Sequence, residues 1–262
     1  MSWSADEYAR FERERTRPVR DLLAAVSRET AARVVDVGCG PGNSTRELIN
    51  RFPTADVYAF DSAEAMCREA RRRLPGVRID RRSVESWLAD PSPPAWMPDV
   101  ILSNAVLQWV PDHARLLPAL VGRLSEGGTL AIQMPDNLQE PTHVLMEKVG
   151  AHTRWAERLA CARDARTRIQ SPDWYATLLR PLCLSTDIWR TTYYHPLAGG
   201  VAAIVDWMKG TGLKPFLDPL AVSEREAFCD EYARELEAVF QPGGDGSVLL
   251  PFPRLFLVAN AR

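Results

Sequence analysis

Asp36 lies in a β-branched run, Val34-Val35-Asp36-Val37, that stops at Gly38-Cys39-Gly40-Pro41-Gly42. Asp61 comes nineteen residues after Gly42 and closes a second such run, Val57-Tyr58-Ala59-Phe60. Between them a polar helix opening, Asn43-Ser44-Thr45, leads into Arg46-Glu47-Leu48-Ile49. Glycines at a strand-to-helix turn let the backbone approach a ligand without a Cβ in the way. Helix N–H groups and the helix dipole there favour a negative group. An acid closing the second strand is placed to accept hydrogen bonds from ribose hydroxyls. A dinucleotide turn has the spacing G-x-G-x-x-G. Here the glycines fall at 38, 40 and 42, so the third comes one residue early, with Pro41 between. The match to the dinucleotide pattern is therefore poor. A glycine-rich turn with no ligand is the bland alternative.

The elements that must hold these residues alternate. Strands are expected over 33–37, 56–60, 77–80, 98–103 and 129–134, with helices over 43–52, 62–73 and 112–125. Strand-helix alternation predicts a parallel sheet covered on both faces. A helix is expected over 4–26, capped by Ser4 or Asp6, with Leu22, Leu23 and Val26 as its stripe and arginines at 10, 13, 15, 17 and 20. Asp90-Pro91-Ser92-Pro93-Pro94 reads as a loop. The second half is less regular: helices over 141–180 broken at Ser171-Pro172, a β-rich run over 184–195, helices over 199–240 broken near Thr211-Gly212, and a last strand over 248–258. Pro251 and Pro253 should keep the first half of that strand at an edge or a bulge. The expectation is a mostly parallel α/β sheet of about seven strands with helical insertions after the fifth and sixth, where an open sheet builds its binding crevice.

Composition narrows the classes. The chain has 262 residues, 46% of them hydrophobic, which suits one α/β domain with insertions. A formal net charge of −2 argues against nucleic-acid binding on a broad basic face. Five cysteines, at 39, 67, 161, 183 and 229, form no C-x-x-C pair, which suggests a reducing compartment and no zinc or other metal site. Cys39 is a small residue suited to a tight turn. The start of the chain is too polar for a signal peptide and no apolar run has membrane-spanning length, so no membrane role and a cytoplasmic location are expected.

Longer segments carry a more particular signal. Val35-Asp-Val-Gly-Cys-Gly-Pro-Gly-Asn-Ser-Thr45 resembles the first motif of class I methyltransferases that use S-adenosylmethionine. Together with Leu107-Gln-Trp-Val-Pro-Asp-His113, Gln133-Met-Pro-Asp-Asn137, Glu140-Pro-Thr-His-Val-Leu-Met146, Asp187-Ile-Trp-Arg-Thr-Thr-Tyr-Tyr-His195 and Phe252-Pro-Arg-Leu-Phe256, it is similar to the trans-aconitate 2-methyltransferase family. The similarity begins at Tyr8, Phe11 and Arg15-x-Arg17-Pro18 and covers nearly the whole chain. It implies a Rossmann-like seven-stranded sheet in a single domain over 1–262, with an N-terminal helical lid (1–30), a cofactor-binding half (31–134) and cap insertions (135–183 and 196–247). It implies methyl transfer to a carboxylate of trans-aconitate.

By the same resemblance, Asp36, Gly38, Cys39, Gly40 and Gly42 line the methionine end of the cofactor, Asp61 takes the ribose hydroxyls with Ser62 beside it, and Asn104 sits next to the sulfonium. The family carries an acid for the adenine amino group after the third strand. This chain has Ser83 there, followed by Val84, and keeps the tryptophan four residues on as Trp87. Asp80 and Glu85 are near but off register.

A carboxylate acceptor is already ionised at neutral pH, so no general base and no catalytic dyad are required. Recognition should rest on arginines gripping the carboxylates that do not react. Arg190 and Arg17 are the first candidates, with Arg254 behind them. Tyr193, Tyr194, His143, His195 and Trp109 are candidate donors or walls. Adjacent tyrosines on a strand point to opposite faces, so one of that pair is structural. The remaining N-terminal arginines read as a solvated helix face. A small-molecule acceptor and a monomer or weak homodimer are expected. Another di- or tricarboxylate, an acyl-carrier acid, a methyltransferase fold used only for binding, and a nicotinamide-dependent dehydrogenase remain as alternatives.

Overall fold

A computed structural model of the chain describes residues 12–90, 96–162, 165 and 168–262. The helix start at Ser4 or Asp6, Tyr8, Phe11 and the proline loop at 91–94 lie outside the described residues. In chain order the elements are α1 (Glu12–Ala24), β1 (Arg33–Val37), α2 (Asn43–Arg51), β2 (Asp56–Asp61), α3 (Glu64–Arg73), β3 (Arg78–Arg81), α4 (Val84–Ala89), β4 (Val100–Asn104), a 3-10 turn (Leu107–Trp109), α5 (His113–Val121) and β5 (Thr129–Pro135). They continue with α6 (Pro141–Gly150), α7 (Pro172–Leu179), β6 (Cys183–Leu197), α8 (Gly200–Lys209), α9 (Lys214–Leu217), α10 (Val222–Glu237) and β7 (Val248–Ala261).

The seven strands form one sheet in the order β3-β2-β1-β4-β5-β7-β6. β1 pairs in parallel with β2 on one side and β4 on the other. The order therefore reverses between β1 and β4, and the carboxyl ends of these two strands are the switch point where an open α/β sheet binds ligands. β7 runs antiparallel to β5, because the N–H of Asp136 meets the carbonyl of Pro253 while that of Ala261 meets Gly128. β7 is an interior strand of the sheet, but Pro251 lies beyond the last of these contacts with β5, so its missing N–H costs no bond on that side.

The chain divides into two compact units, one comprising 2–134, 169–191 and 255–262, the other 135–168 and 192–254. In the first, one sheet face presents Val35, Val37, Phe60, Ile101, Ile132 and Leu257 to a single large core. The alternation follows the two-residue strand period. The opposite face near β1 and β2 is packed by small residues, Cys39, Ala59, Cys67 and Ala70, which let α3 lie close. α5 is held by His113, whose Nε2 donates to the Leu107 carbonyl at 2.9 Å. That leaves Nδ1 to accept the Tyr175 hydroxyl at 2.7 Å, and the same hydroxyl accepts the N–H of Gln170. The short helix α4 and the 3-10 turn were not expected from the sequence. α4 persists at six residues because Ser83 and Ser86 cap it reciprocally.

In the second unit α6, α8, α9 and α10 pack around fully buried Trp155, Trp207, Phe228 and Tyr232. Tyr232 donates to the Thr142 carbonyl at 2.8 Å, and the Trp155 indole donates to Glu231 at 2.8 Å. The expected helix over 141–180 is interrupted earlier than the sequence suggested, since 151–162 is a run of turns. Ser171 and Pro172 mark the start of α7, where the Ser171 hydroxyl accepts the N–H of Trp174 at 3.2 Å.

Candidate active site

Asp36 is fully buried at the carboxyl end of β1. Its Oδ2 accepts both the Ser44 hydroxyl at 2.7 Å and the Thr45 hydroxyl at 2.6 Å, tying the strand to the first turn of α2. Its Oδ1 is buried with no partner among the described residues. Burial pushes the Asp36 carboxyl up to about 6, against the opposing pull of the two hydroxyls. An acceptor held in this way is suited to a donor that arrives with a ligand.

The three glycines do different work. All have positive φ, at 72°, 54° and 96° for Gly38, Gly40 and Gly42. A Cβ on Gly38 would stand 2.3 Å from Val106 Cγ2, and one on Gly42 would stand 2.9 Å from Leu74 Cδ1. Gly38 is held to glycine by the Val106 side chain packed against it, and Gly42 by its φ of 96°, since the Leu74 terminal methyl can give way. A Cβ on Gly40 would meet nothing within 4 Å. Gly40 therefore borders open space, and it is the position at which the backbone can come close to a ligand.

Asp61 closes β2 at the same switch point. Its Oδ2 accepts the N–H of Gly40 at 3.0 Å and its Oδ1 the N–H of Ala63 at 2.8 Å, so the turn and the acid fix one another. Each carboxylate oxygen still has a lone pair to offer. Burial raises the Asp61 carboxyl above its ordinary value, opposed by these N–H bonds. Ser62 beside it is exposed. Cys39 is 2% exposed and packs beneath the turn, and burial drives its thiol far above the ordinary range.

Across the switch point, β4 ends at half-buried Asn104, whose Oδ1 has no partner among the described residues. Ala105 follows with φ 58°, an uncommon conformation for a residue with a Cβ. It is pinned by its own N–H to the Gln133 carbonyl at 2.9 Å and by the Gln108 side chain to its carbonyl at 2.7 Å. Arg15, Val19, Gly38, Gly40, Asn43 and Asn104 are among the residues lining one pocket here. The sequence placed Arg15 on a solvated face, yet it is 6% exposed.

Other expected residues distribute differently. The Ser83 hydroxyl oxygen accepts the N–H of Ser86 at 3.1 Å as the cap of α4, so this side chain is spent on the helix start and supplies no carboxylate for an adenine amino group. Val84 and Trp87 are buried in the core, Trp87 against Phe60 with ring centroids 5.4 Å apart. Arg17 is 72% exposed and lies 3.9 Å from Asp21, and Arg190 is exposed on β6. Trp109 is half-buried in the 3-10 turn. Tyr193 is buried and Tyr194 is 61% exposed, the split that a strand imposes. His195 shares the buried face of Tyr193 and stacks on Trp207 at 4.8 Å. Arg254 is 4% exposed, with its guanidinium 4.7 Å from the Phe252 ring centre and 5.9 Å from that of Tyr193. His143 is buried beside Thr142 and borders a small pocket with Met146, Glu147, Gly212 and Phe216.

Known proteins resemble the chain over most of its length. A methyltransferase-domain family model matches residues 8–176. A trans-aconitate 2-methyltransferase of Methylobacterium nodulans is 52% identical over 258 residues, covering 98% of each chain. One from Rhodopseudomonas palustris is 47% identical over 258 residues, again 98% of each. The crystal structure of the YcgJ protein of Bacillus subtilis superposes with a TM-score of 0.59 at 14% identity, covering 94% of this chain and 98% of that one, which supports the fold. The chain belongs to the trans-aconitate 2-methyltransferase family.

Proposed function

We propose that the chain transfers a methyl group from S-adenosylmethionine to a carboxylate of trans-aconitate, giving a monomethyl ester. The observation that carries this reading is the near-full-length match, at about half identity, to proteins bearing that name, which takes in the helical insertions as well as the glycine turn. The residues present fit the cofactor. Gly40 offers a backbone edge to open space, Asp36 and Asn104 hold unpartnered buried acceptors for an ammonium, and Asp61 keeps lone pairs for ribose hydroxyls. When bound, the cofactor supplies an electrophilic methyl on a sulfonium.

On this reading Gly38, Cys39, Gly40 and Gly42 shape the turn, Ser62 flanks the ribose, and Asn104 borders the reacting end. The start of α4 at Ser83 and Val84 would border the adenine without supplying an acid. The protein holds no proton for the acceptor, which is ionised at neutral pH. Its contribution is alignment of oxygen, methyl and sulfur with reacting atoms about 3–3.5 Å apart, and exclusion of water. Of the three arginines expected to grip the remaining carboxylates, Arg254 has the strongest support, since it is buried in an aromatic setting while Arg17 and Arg190 are exposed. Tyr193, His195 and His143 are its companions in the same unit, and Tyr194 and Trp109 are secondary. No helix among the described residues is long and apolar enough to cross a membrane. We read the chain as a cytoplasmic enzyme with a small-molecule acceptor, a monomer or weak homodimer, with a lid, a cofactor half and two cap insertions, the first of which ends near 168, since 169–191 belongs to the unit that carries the glycine turn.

An S-adenosylhomocysteine release assay across di- and tricarboxylates tests the reading. Turnover concentrated on trans-aconitate is expected. Cofactor binding with no turnover on any of these acids would remove the acceptor assignment.

A further inference from the structure

We propose that Arg15 and Asn43 form the receptor for the α-carboxylate at the amino-acid end of the cofactor. The inference rests on the methyltransferase reading and assigns a part of that site that the sequence left unassigned. Two carboxyl side chains are bonded to residues that line this pocket: Asp61 accepts the N–H of Gly40 at 3.0 Å and Asp36 accepts the Ser44 hydroxyl at 2.7 Å. An amino-acid end carries an ammonium and a carboxylate. The ammonium suits Asp36 and the unpartnered Asn104 Oδ1. The carboxylate would be repelled by the two acids unless a cation and N–H donors stand against it.

Those donors are present and held in place. Arg15 is buried and lines the same pocket as Gly38, Gly40, Asn43 and Asn104. Its helix is tied to its neighbours by Arg20 with Glu47 at 2.8 Å and by Glu12 with Arg73 at 3.1 Å. Arg73 Nη1 also donates to Asn43 Oδ1 at 3.0 Å. That contact fixes the amide orientation, because only the oxygen can accept. Asn43 Nδ2 is thereby the other end of the group, buried and with no partner among the described residues. The first turn of α2 carries no side-chain cap, its N-cap being Gly42, so its leading N–H groups add a third set of donors. Guanidinium, amide N–H and helix N–H groups at one pocket form a carboxylate receptor.

The test is equilibrium binding, without turnover, to S-adenosylhomocysteine and to its decarboxylated analogue, which keeps the ammonium. Arg15→Met, which preserves bulk, should weaken S-adenosylhomocysteine by roughly 10- to 100-fold and move the analogue by less than about twofold. Asn43→Asp keeps an oxygen for Arg73 but sets a second carboxylate oxygen against the ligand, and it should show the same selectivity at about tenfold. Equal weakening of both ligands would make Arg15 a structural residue and overturn the proposal. So would unchanged S-adenosylhomocysteine affinity with a raised KM for trans-aconitate, which would assign Arg15 to the acceptor. Failure of the unaltered chain to bind S-adenosylhomocysteine would instead remove the methyltransferase reading itself, and the receptor with it.

Discussion

Asp36 and Arg254 are both buried charges, and their settings are opposite. Asp36 is enclosed by its own loop, with hydroxyls from Ser44 and Thr45 on one oxygen and an unpartnered second oxygen. Arg254 lies against the rings of Phe252 and Tyr193, in a cluster that continues through His195 to Trp207. The carboxyl can escape its burial by holding a proton, and its rise to about 6 records that tendency. The guanidinium cannot lose its charge, so the chain surrounds it with ring faces, which attract a cation while leaving its N–H edge directional. One setting gives an acceptor waiting for a cationic group; the other gives a permanent cation suited to a planar anion.

The contrast is tested first at Arg254, where the largest effect is expected. Arg254→Met should lower kcat/KM for trans-aconitate by about 100-fold or more, the scale of truncating one partner of a buried charge pair. S-adenosylhomocysteine affinity should stay near that of the parent, which also reports that the chain has folded. Arg190→Ala, on an exposed position, should leave kcat/KM within about threefold. If Arg190→Ala abolishes turnover and Arg254→Met does not, recognition rests on a surface arginine and the aromatic setting is only structural.

Asp36→Asn sharpens the other side. The wild-type carboxyl titrates near 6 when folded and near 4 when unfolded, so between those values the folded state holds more protons. Raising the pH through that window therefore lowers wild-type stability, by about 3 kcal/mol in full above pH 6. An amide oxygen can still accept from Ser44 and Thr45 but carries no such penalty. The variant's melting temperature should exceed that of the parent at pH 7, with the gap closing below pH 4, while its S-adenosylhomocysteine affinity falls. A gap independent of pH would mean that the charge is compensated in the ligand-free protein.

The same two regions differ in how legible they were. Everything from Arg33 to Asp61 is local: β1 spans 33–37 as expected and ends where the β-branched run does, and strand, turn and acid lie within thirty residues. The cap cluster gathers residues 193, 195, 207, 252 and 254, and no spacing rule relates them. Two signals were nonetheless present. Successive strand residues alternate faces, and Arg190 shares parity with exposed Tyr194, whereas Arg254 shares it with buried Phe252 and Phe256. On α1, Arg15 sits four residues before Val19 and seven before Leu22, on the apolar stripe, and Arg17 is turned roughly 200° away. Periodicity thus separates the buried arginines, Arg15 and Arg254, from the exposed ones, Arg17 and Arg190. Helix α4 was harder to foresee, because six residues carry no usable period and the Ser83–Ser86 cap stands where the family's acid would be.

The smallest effect is expected at Gly40, and a contrast with Gly38 isolates it. Gly38→Ala drives a methyl into Val106 at 2.3 Å with φ at 72°, and the chain should lose about 3 kcal/mol or more through overpacking and left-handed strain. Gly40→Ala meets no atom within 4 Å, and its φ of 54° lies in the small left-handed well that a side chain can enter at a cost of about 1 kcal/mol. Thermal unfolding should therefore show Gly40→Ala only slightly destabilised. Its S-adenosylhomocysteine affinity should nevertheless fall by about tenfold, since the added methyl occupies the space into which the ligand comes. A Gly40→Ala protein that binds as the parent does would mean that the open space beside this residue is solvent rather than site. The glycine turn would then owe all three of its glycines to packing and backbone conformation, and the asymmetry with the aromatic cluster around Arg254 would vanish.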